Sequence, residues 1–199
     1  VFEIPCDLLP NYLSVTLTPS NPILHTSRLC SLFHDYVPGV VYPRNPLFYQ
    51  DWNNDSSQRL LACDEELQKI CAMLSEFDLS SVRSLRLHYE SNTPEAMTQK
   101  IRSIKSLQGI LTPMISVDGG YIPDFSSRYF TADFPYGLSI VRQIAGLLGL
   151  DVPVISDTLN WYYSLAGNHV AGFDLEKFGI KKLDDFIAFY LRSGSYRKE

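Results

Sequence analysis

The segment SSQRLLACDEELQKICAMLSEF, residues 56–77, carries a strong helical pattern and decides the fold class. Its apolar side chains recur every three or four residues, as expected of a helix that buries one face. Either Asp55 or Ser56 is the expected N-cap, because both side chains can accept a hydrogen bond from the first helical turn. Asp64 falls within the apolar stripe, but the acidic run 64–66 is most simply interpreted as a solvated helix face. The segment therefore predicts a long amphipathic α-helix.

Similar patterns on both sides of this segment predict further helices. They are residues 23–33 with Asn21 as N-cap and Pro22 in the first turn, 79–89, a helix opened by Thr93 and Pro94, 135–149 ended by Gly149, 153–167, 175–180 and 181–193. VDGGYIPDF, residues 117–125, predicts a tight turn with short extended arms. Residues 1–57 are rich in proline, asparagine and aromatic residues, and most of them are expected to form ordered loop. The chain is therefore predicted to be mainly α, with a loop-rich N-terminal quarter.

The composition argues against several classes of partner. The 199-residue chain has a formal net charge of −5, which does not favour binding to nucleic acid or to an anionic membrane surface. The basic residues of 192–198 are interpreted as a solvated tail. No apolar run reaches the length of a membrane span, and no signal peptide is recognisable. The four cysteines form no CxxC pair and are interpreted as reduced thiols of a cytoplasmic protein.

Motifs that bind phosphate or metal are missing from the sequence. No GxGxxG follows a predicted strand and no GxxxxGK[ST] is present, so the chain carries no recognisable nucleotide-phosphate loop. The four histidines lie in different segments and form no HExxH or related spacing. The sequence therefore predicts no metal site.

SRYFTADFPYGL, residues 127–138, allows two interpretations. Asp133 lies just ahead of a proline and a predicted helix, where an acid commonly stabilises the helix N-terminus, and Arg128 then belongs to a surface ion pair. Alternatively, the two residues form half of a site. His25, which follows NPIL at a helix start, is likewise either structural or functional. By spacing alone, Trp161 is more simply a core residue than a ligand contact.

Two segments resemble a known family. TPSNPILHTSRL, residues 18–29, and SRYFTADFPYGLSIVRQIAGLLGLDVPVIS, residues 127–156, are similar to segments of the octopine/nopaline (opine) dehydrogenase family, and the aromatic stretch NPLFYQDW, residues 45–52, lies between them in the family's order. The resemblance covers nearly the whole chain, but only the family's C-terminal helical domain. It implies a multi-helix domain of the 6-phosphogluconate dehydrogenase C-terminal-like type.

The resemblance also implies a domain organisation. Residues 1–199 form a single substrate-binding and catalytic domain, and residues 1–20 are the connection from an N-terminal Rossmann domain that is absent from this chain. That missing domain binds NAD or NADP, so the present chain alone is expected to be inactive. A homodimer is one possible assembly.

The family condenses the amine of an amino acid with an α-keto acid such as pyruvate and reduces the imine with NAD(P)H. The family's catalytic pair carries over to His25 and Asp133: histidine has an ordinary pKa of about 6.5, and a neighbouring carboxylate stabilises its charged form. Arg128 is implied as the group that holds a substrate carboxylate, since guanidinium binds it in two-pronged fashion. Phe134 and Trp161 are implied to line the amino-acid pocket.

Two alternatives remain open at this stage. One is a non-catalytic helical module for dimerisation or partner binding, and the other is a related two-domain dehydrogenase that acts on 2-hydroxy acids. The separation of His25 and Asp133 bears on the first alternative, because a working pair needs contact at about 3 Å. A substrate screen bears on the second.

Overall fold

The computed structural model describes residue 3 and residues 8–166 and 172–193. This part of the chain is mainly helical, as predicted, with one small antiparallel hairpin. The α-helices are α1 (Leu13–Thr16), α2 (Ser20–Phe33), α3 (Asn54–Met73), α4 (Leu85–His88), α5 (Pro94–Ser103), α6 (Arg128–Thr131), α7 (Ser139–Leu147), α8 (Pro153–Ala166) and α9 (Leu183–Ser193). Short 3₁₀ turns cover Lys105–Leu107 and Leu175–Phe178, a π-helical turn covers Phe134–Leu138, and the hairpin pairs β1 (Met114–Val117) with β2 (Gly120–Pro123).

Where local capping signals are strong, the predicted boundaries hold. Thr93 caps α5 by accepting a hydrogen bond from the Ala96 amide, and Pro94 occupies the first turn. Gly149 follows α7 with a φ of +65°, a left-handed conformation that glycine adopts without strain. The hairpin turn is also confirmed. The predicted end of the 153–167 helix, the basic tail and Cys6 lie outside the described residues.

Three predicted helix boundaries are wrong. The helix α3 is capped by Asn53, whose extended backbone turns its side chain towards the Ser56 amide, rather than by Asp55 or Ser56. The helix α2 begins at Ser20, so Asn21 lies inside the first turn and is not its N-cap. Of the predicted helix 79–89, only α4 is helical, because Ser84 caps a new start there.

The helix α2 lies at the centre of the packing. It contacts α3, α8 and the π-helical turn, and α3 also packs against α5. Residues 23–30 of α2 are all buried, which is typical of a helix surrounded by protein on every side. Within the described residues, no helix combines the length and apolar character needed to cross a membrane.

The acidic run on α3 is not a solvated face. Glu65 is exposed and pairs with Arg86, but Asp64 and Glu66 are only 1% and 5% exposed. The Glu66 carboxylate accepts hydrogen bonds of 2.9 Å from the backbone amides of Val154 and Ile155. It therefore satisfies the N-terminus of α8, as an acid at a helix start does. The prediction is confirmed for Glu65 and wrong for Asp64 and Glu66, because these two carboxylates accept hydrogen bonds from helix starts that are distant in sequence.

Asp64 makes the stability of the fold depend on pH. Burial raises the pKa of Asp64 to about 6. Hydrogen bonds from the Leu85 amide and from Gln68 stabilise the carboxylate and oppose this shift. An acid with a raised folded-state pKa binds its proton more tightly in the folded protein than in the unfolded chain. The contribution of Asp64 to the stability of the fold is therefore fully present below the unfolded pKa of 3.8 and is lost as the pH rises through about 6.

Asp64→Asn is therefore expected to gain stability relative to the wild type as the pH rises. The amide cannot ionise but keeps an acceptor for the Leu85 amide, so the gain between pH 4 and pH 8 should be on the order of 2 kcal/mol. Urea unfolding of both proteins across this pH range measures it. Glu65→Gln, at the exposed neighbouring position, is the control. Parallel pH curves for Asp64→Asn and the wild type contradict the prediction.

Candidate functional site

Two side chains that are far apart in sequence meet where α2 packs against the π-helical turn. The Nδ1 atom of His25, on α2, lies 2.8 Å from Oδ2 of Asp133, 108 residues later. The two side chains are only 9% and 16% exposed. At this distance and burial the pair is hydrogen-bonded, and protonation of the imidazole would make it an ion pair.

The contact depends on a close approach of two backbones. Asp133 precedes the π-helical turn, in which the Leu138 amide donates to the Asp133 carbonyl at 2.8 Å. Gly137 of this turn packs against Pro22 in the first turn of α2, and a Cβ atom on Gly137 would come within 3.0 Å of the proline ring. The glycine of the PYGL sequence therefore allows α2 to approach closely enough for His25 to reach Asp133.

The capping interpretation of Asp133 does not describe its side chain. Asp133 lies at the start of the π-helical turn, but its carboxylate makes no capping hydrogen bond there. The carboxylate contacts His25 instead.

A tyrosine on a loop contacts the other nitrogen of the imidazole. The hydroxyl of Tyr49 lies 2.9 Å from His25 Nε2. The rings of Phe48 and Tyr129 meet the imidazole edge-on, with centroids at 5.7 and 4.4 Å. The aromatic stretch 45–52 is visible in the sequence, but Tyr49 was not predicted as a site residue. Its aromatic neighbours and its position between the two site segments are the sequence features that point to it.

A buried arginine fixes the loop that carries this tyrosine. Arg28 lies one turn after His25 and is fully buried. Its Nε donates to the Phe48 carbonyl at 2.9 Å and its NH2 to the Asp51 carbonyl at 2.8 Å. The guanidinium also lies over the Trp52 ring, with Cζ 5.5 Å from the ring centroid. The loop is thus held on both sides of Tyr49.

Burial changes the pKa values of both groups. Desolvation lowers the pKa of Arg28 to about 10, although the nearby Asp51 opposes the shift. Burial raises the pKa of Tyr49 well above that of an ordinary phenol, and Tyr129 adds to the shift. At neutral pH Arg28 is therefore charged and Tyr49 keeps its proton.

Arg128 lies in α6, a few residues before Asp133, with its side chain exposed. Within residues 8–166 and 172–193, no acidic side chain lies within ion-pair distance of its guanidinium. The surface ion pair expected for Arg128 is therefore not formed in the described part of the chain, and its charge is available to an anionic group.

Phe134 and Trp161 lie behind the histidine–aspartate pair. Phe134 is fully buried and stacks on Tyr162 with ring centroids 4.3 Å apart. Trp161 is half-buried, 5.9 Å from the Phe134 ring, and its Nε1 donates to the Phe33 carbonyl at 3.3 Å. Both residues therefore support the core next to the site, and their contact with an amino acid stays a prediction.

An open depression of about 410 Å³ adjoins the pair on the Asp133 side. Residues of α1, of the first turn of α2 and of the π-helical turn line it, and Asn21 and Ser20 contribute polar groups. Asp133 is the member of the pair that lines this depression.

The described chain offers no obvious site for a metal or for a dinucleotide phosphate. In residues 8–166 and 172–193, no three His, Cys, Asp or Glu side chains gather as metal ligands do. The full sequence contains no glycine-rich phosphate loop.

Comparison with solved structures shows that this chain shares its fold with part of octopine dehydrogenase. Octopine dehydrogenase in complex with NADH and agmatine superposes with a TM-score of 0.77 at 23% identity, over 97% of this chain and 52% of that chain. The same enzyme with NADH and pyruvate gives 0.75 at 24% identity, over 97% and 50% of the two chains. At these identities the likeness concerns the fold alone.

Sequence comparison then gives the family. The family described as NAD/NADP octopine/nopaline dehydrogenase, alpha-helical domain, matches residues 8–166. The chain belongs to this family, which confirms the resemblance seen in the sequence.

Two individual relatives match over part of their length. Tauropine dehydrogenase of Arabella iricolor is 28% identical over 166 residues, which are 78% of this chain and 42% of that protein. Octopine dehydrogenase of Pecten maximus is 29% identical over 133 residues, which are 62% and 33% of the two chains. The chain thus spans less than half the length of these two curated relatives.

Proposed function

We propose that this chain is the substrate-binding and catalytic-base domain of an opine dehydrogenase. The reaction is the NAD(P)H-dependent reductive condensation of an amino acid with an α-keto acid such as pyruvate. The observation that carries the proposal is the buried contact of 2.8 Å between His25 Nδ1 and Asp133 Oδ2. The family membership of the chain supports it.

His25 moves the protons of the condensation. The imine forms only if the amino group loses a proton and the carbonyl oxygen leaves as water, so the site needs a group that accepts and then returns a proton. Asp133 fixes the tautomer by accepting from Nδ1 and stabilises the imidazolium while His25 holds the extra proton. Nicotinamide supplies the hydride when it is bound; the roles assigned to this chain concern only protons and carboxylates.

Arg128 binds a carboxylate of the substrates. Its guanidinium is exposed and lacks an acidic partner within the described ranges, and the segment that carries it leads directly to Asp133. Both the amino acid and the keto acid bring a carboxylate, which guanidinium binds with two parallel hydrogen bonds. Phe134 and Trp161 then support the wall of the amino-acid pocket.

The full-length protein is proposed to place a dinucleotide-binding Rossmann domain before this chain. The chain then forms one helical domain of 6-phosphogluconate dehydrogenase C-terminal-like type, with residues 1–20 as the connection. The chain's length relative to its relatives supports this organisation. Cys30, Cys63 and Cys71 are free thiols, which fits a cytoplasmic location.

An assay of the full-length protein tests the proposal. NADH or NADPH oxidation is measured with pyruvate alone, with an amino acid alone and with both together. The proposal expects oxidation only when both are present, with a secondary amine as the product. Oxidation with the keto acid alone would instead assign a 2-hydroxy-acid dehydrogenase, and no oxidation across a panel of keto acids and amines would contradict both functions.

Arg128→Lys is expected to raise the KM for the keto acid or the amino acid by about 10-fold or more, since losing a two-pronged charged hydrogen bond costs about 1.5–3 kcal/mol. The KM for NADH should change less than about 3-fold. Initial-rate measurements on the full-length enzyme give both constants. Arg83→Lys, at another exposed position, is the matched control. Equal losses for the carboxylate substrates and for NADH would contradict the role of Arg128.

A further inference from the structure

Both nitrogens of the His25 imidazole already have partners. A carboxylate can only accept hydrogen bonds, so Nδ1 carries the hydrogen that is donated to Asp133. In the neutral ring the lone pair is then on Nε2, and the Tyr49 hydroxyl, 2.9 Å away, donates its hydrogen to it. The basic nitrogen of the proposed catalytic histidine therefore faces a tyrosine and not an open surface.

Among the described residues, the hydrogen-bond partner of Nε2 is the Tyr49 hydroxyl. His25 and Tyr49 are only 7% and 5% exposed. The rings of Phe48 and Tyr129 meet the imidazole edge-on and limit its rotation. A substrate could reach Nε2 directly only by displacing the Tyr49 hydroxyl.

The Tyr49 ring is not free to move aside. It lies parallel to Trp52, with an interplanar angle of 4° and centroids 6.4 Å apart, and meets Phe48 edge-on at 4.9 Å. Arg28 holds the carbonyls of Phe48 and Asp51 on either side of it. This rigidity keeps the hydroxyl on Nε2.

We propose, on the basis of the function proposed above, that the Tyr49 hydroxyl relays the proton between His25 and the reacting substrate. As the substrate ammonium gives a proton to the Tyr49 oxygen, the hydroxyl hydrogen passes to Nε2. Tyr49 ends neutral, His25 becomes an imidazolium paired with Asp133, and the substrate becomes a free amine. The reverse transfer delivers one proton to the departing hydroxyl group of the condensation intermediate, which leaves as water.

The electrostatics of the loop suit this role. Burial raises the pKa of Tyr49, and its neighbours Tyr129, Tyr89 and Asp133 add to the shift. His25 faces the hydroxyl as its hydrogen-bond partner. The hydroxyl therefore stays protonated and always has a hydrogen to pass on. Tyr129 directly follows Arg128, so the relay adjoins the segment proposed to bind the substrate carboxylate.

Tyr49→Phe in the full-length enzyme tests the relay. The variant keeps the ring and its stacking, and kcat for reductive condensation is expected to fall about 100-fold, while the KM values for NADH and keto acid stay within about 3-fold. Tyr162→Phe is the control and should keep its activity, since Tyr162 is also buried but its hydroxyl is not the partner of Nε2. A Tyr49→Phe enzyme that retains more than about one third of the wild-type kcat overturns the relay. A wild-type enzyme that is inactive with every substrate pair would instead contradict the proposed function, and the relay with it.

A second variant guards against a loss caused by misfolding. Tyr49→difluorotyrosine keeps the ring and hydroxyl but ionises at lower pH, and a phenolate has no proton to pass to neutral His25. The relay predicts a new fall in kcat on the alkaline side of the pH profile, at a pH where wild type remains active. If Tyr49 only fills space, the profile keeps the wild-type shape, and that result overturns the proposal.

Discussion

Replacing His25 with alanine is expected to lower kcat of the full-length enzyme by about 10²–10⁴-fold, the usual contribution of a general acid–base residue. The physical reason is that the buried pair holds the basic nitrogen at the site, and no other imidazole is hydrogen-bonded to Asp133 in the described structure. The KM for NADH should change little, because the chain carries no dinucleotide-phosphate loop. Initial rates of NADH oxidation with keto acid and amino acid together give both constants.

His34→Ala is the matched control, since this histidine lies just beyond the same helix with a side chain 60% exposed. It should retain wild-type activity. The pair can also be tested as a unit: His25→Ala with Asp133→Asn should be about as slow as His25→Ala alone, since residues that act together do not contribute additively. A near wild-type rate for His25→Ala would remove the assignment of the catalytic base.

Arg28→Met is expected to lower the free energy of unfolding by about 3 kcal/mol. Methionine fills much of the space but leaves the carbonyls of Phe48 and Asp51 without donors, and each buried unsatisfied group costs about 1–3 kcal/mol. Some of this loss is offset because the buried guanidinium no longer has to be desolvated, the effect that lowers its pKa to about 10. Urea unfolding of the variant and the wild type at the same pH measures the difference.

Arg102→Met is the control for this change. Arg102 is exposed and its Nε donates to one carbonyl, that of Trp52, at 2.6 Å, so the variant should lose less than about 1 kcal/mol. Arg28→Met should also lose activity, because the loop no longer holds Tyr49 on His25. An Arg28→Met protein as stable as the Arg102→Met protein would show that the buried network is dispensable.

The parts of the fold that could be predicted from the sequence are those with local signals. Thr93 and Pro94 open a helix and Gly149 follows one, because each acts within a few residues of its own position. The predicted caps Asp55 and Ser56 lie two and three residues after the observed cap Asn53, because all three residue types cap helices well. Only the backbone conformation, which the neighbouring loop sets, distinguishes them.

The parts that could not be predicted depend on distant segments. The spacing of Arg128 and Asp133 favours a helix cap and a surface charge over a site, and only the family resemblance pairs Asp133 with His25. Glu66 reads as a surface acid on α3 because nothing nearby indicates that α8 starts above it. Arg28 carries no local signal, and the aromatic neighbours of Tyr49 do not indicate its contact with His25, since both residues meet their partners only when the loop of residues 45–53 folds back over α2.

The burial of α2 on all sides limits which positions of this protein can tolerate substitutions during evolution. His25 and Arg28 lie one turn apart on this helix, and Arg28 holds the loop that places Tyr49 on the imidazole. A mutation that displaces one of the two side chains is therefore expected to displace the other. Adaptation to a new amine or a hotter habitat is then expected to proceed through the residues around the open depression, while the central helix stays nearly constant. A library for directed evolution should follow the same division, leaving residues 23–30 untouched and diversifying the rim.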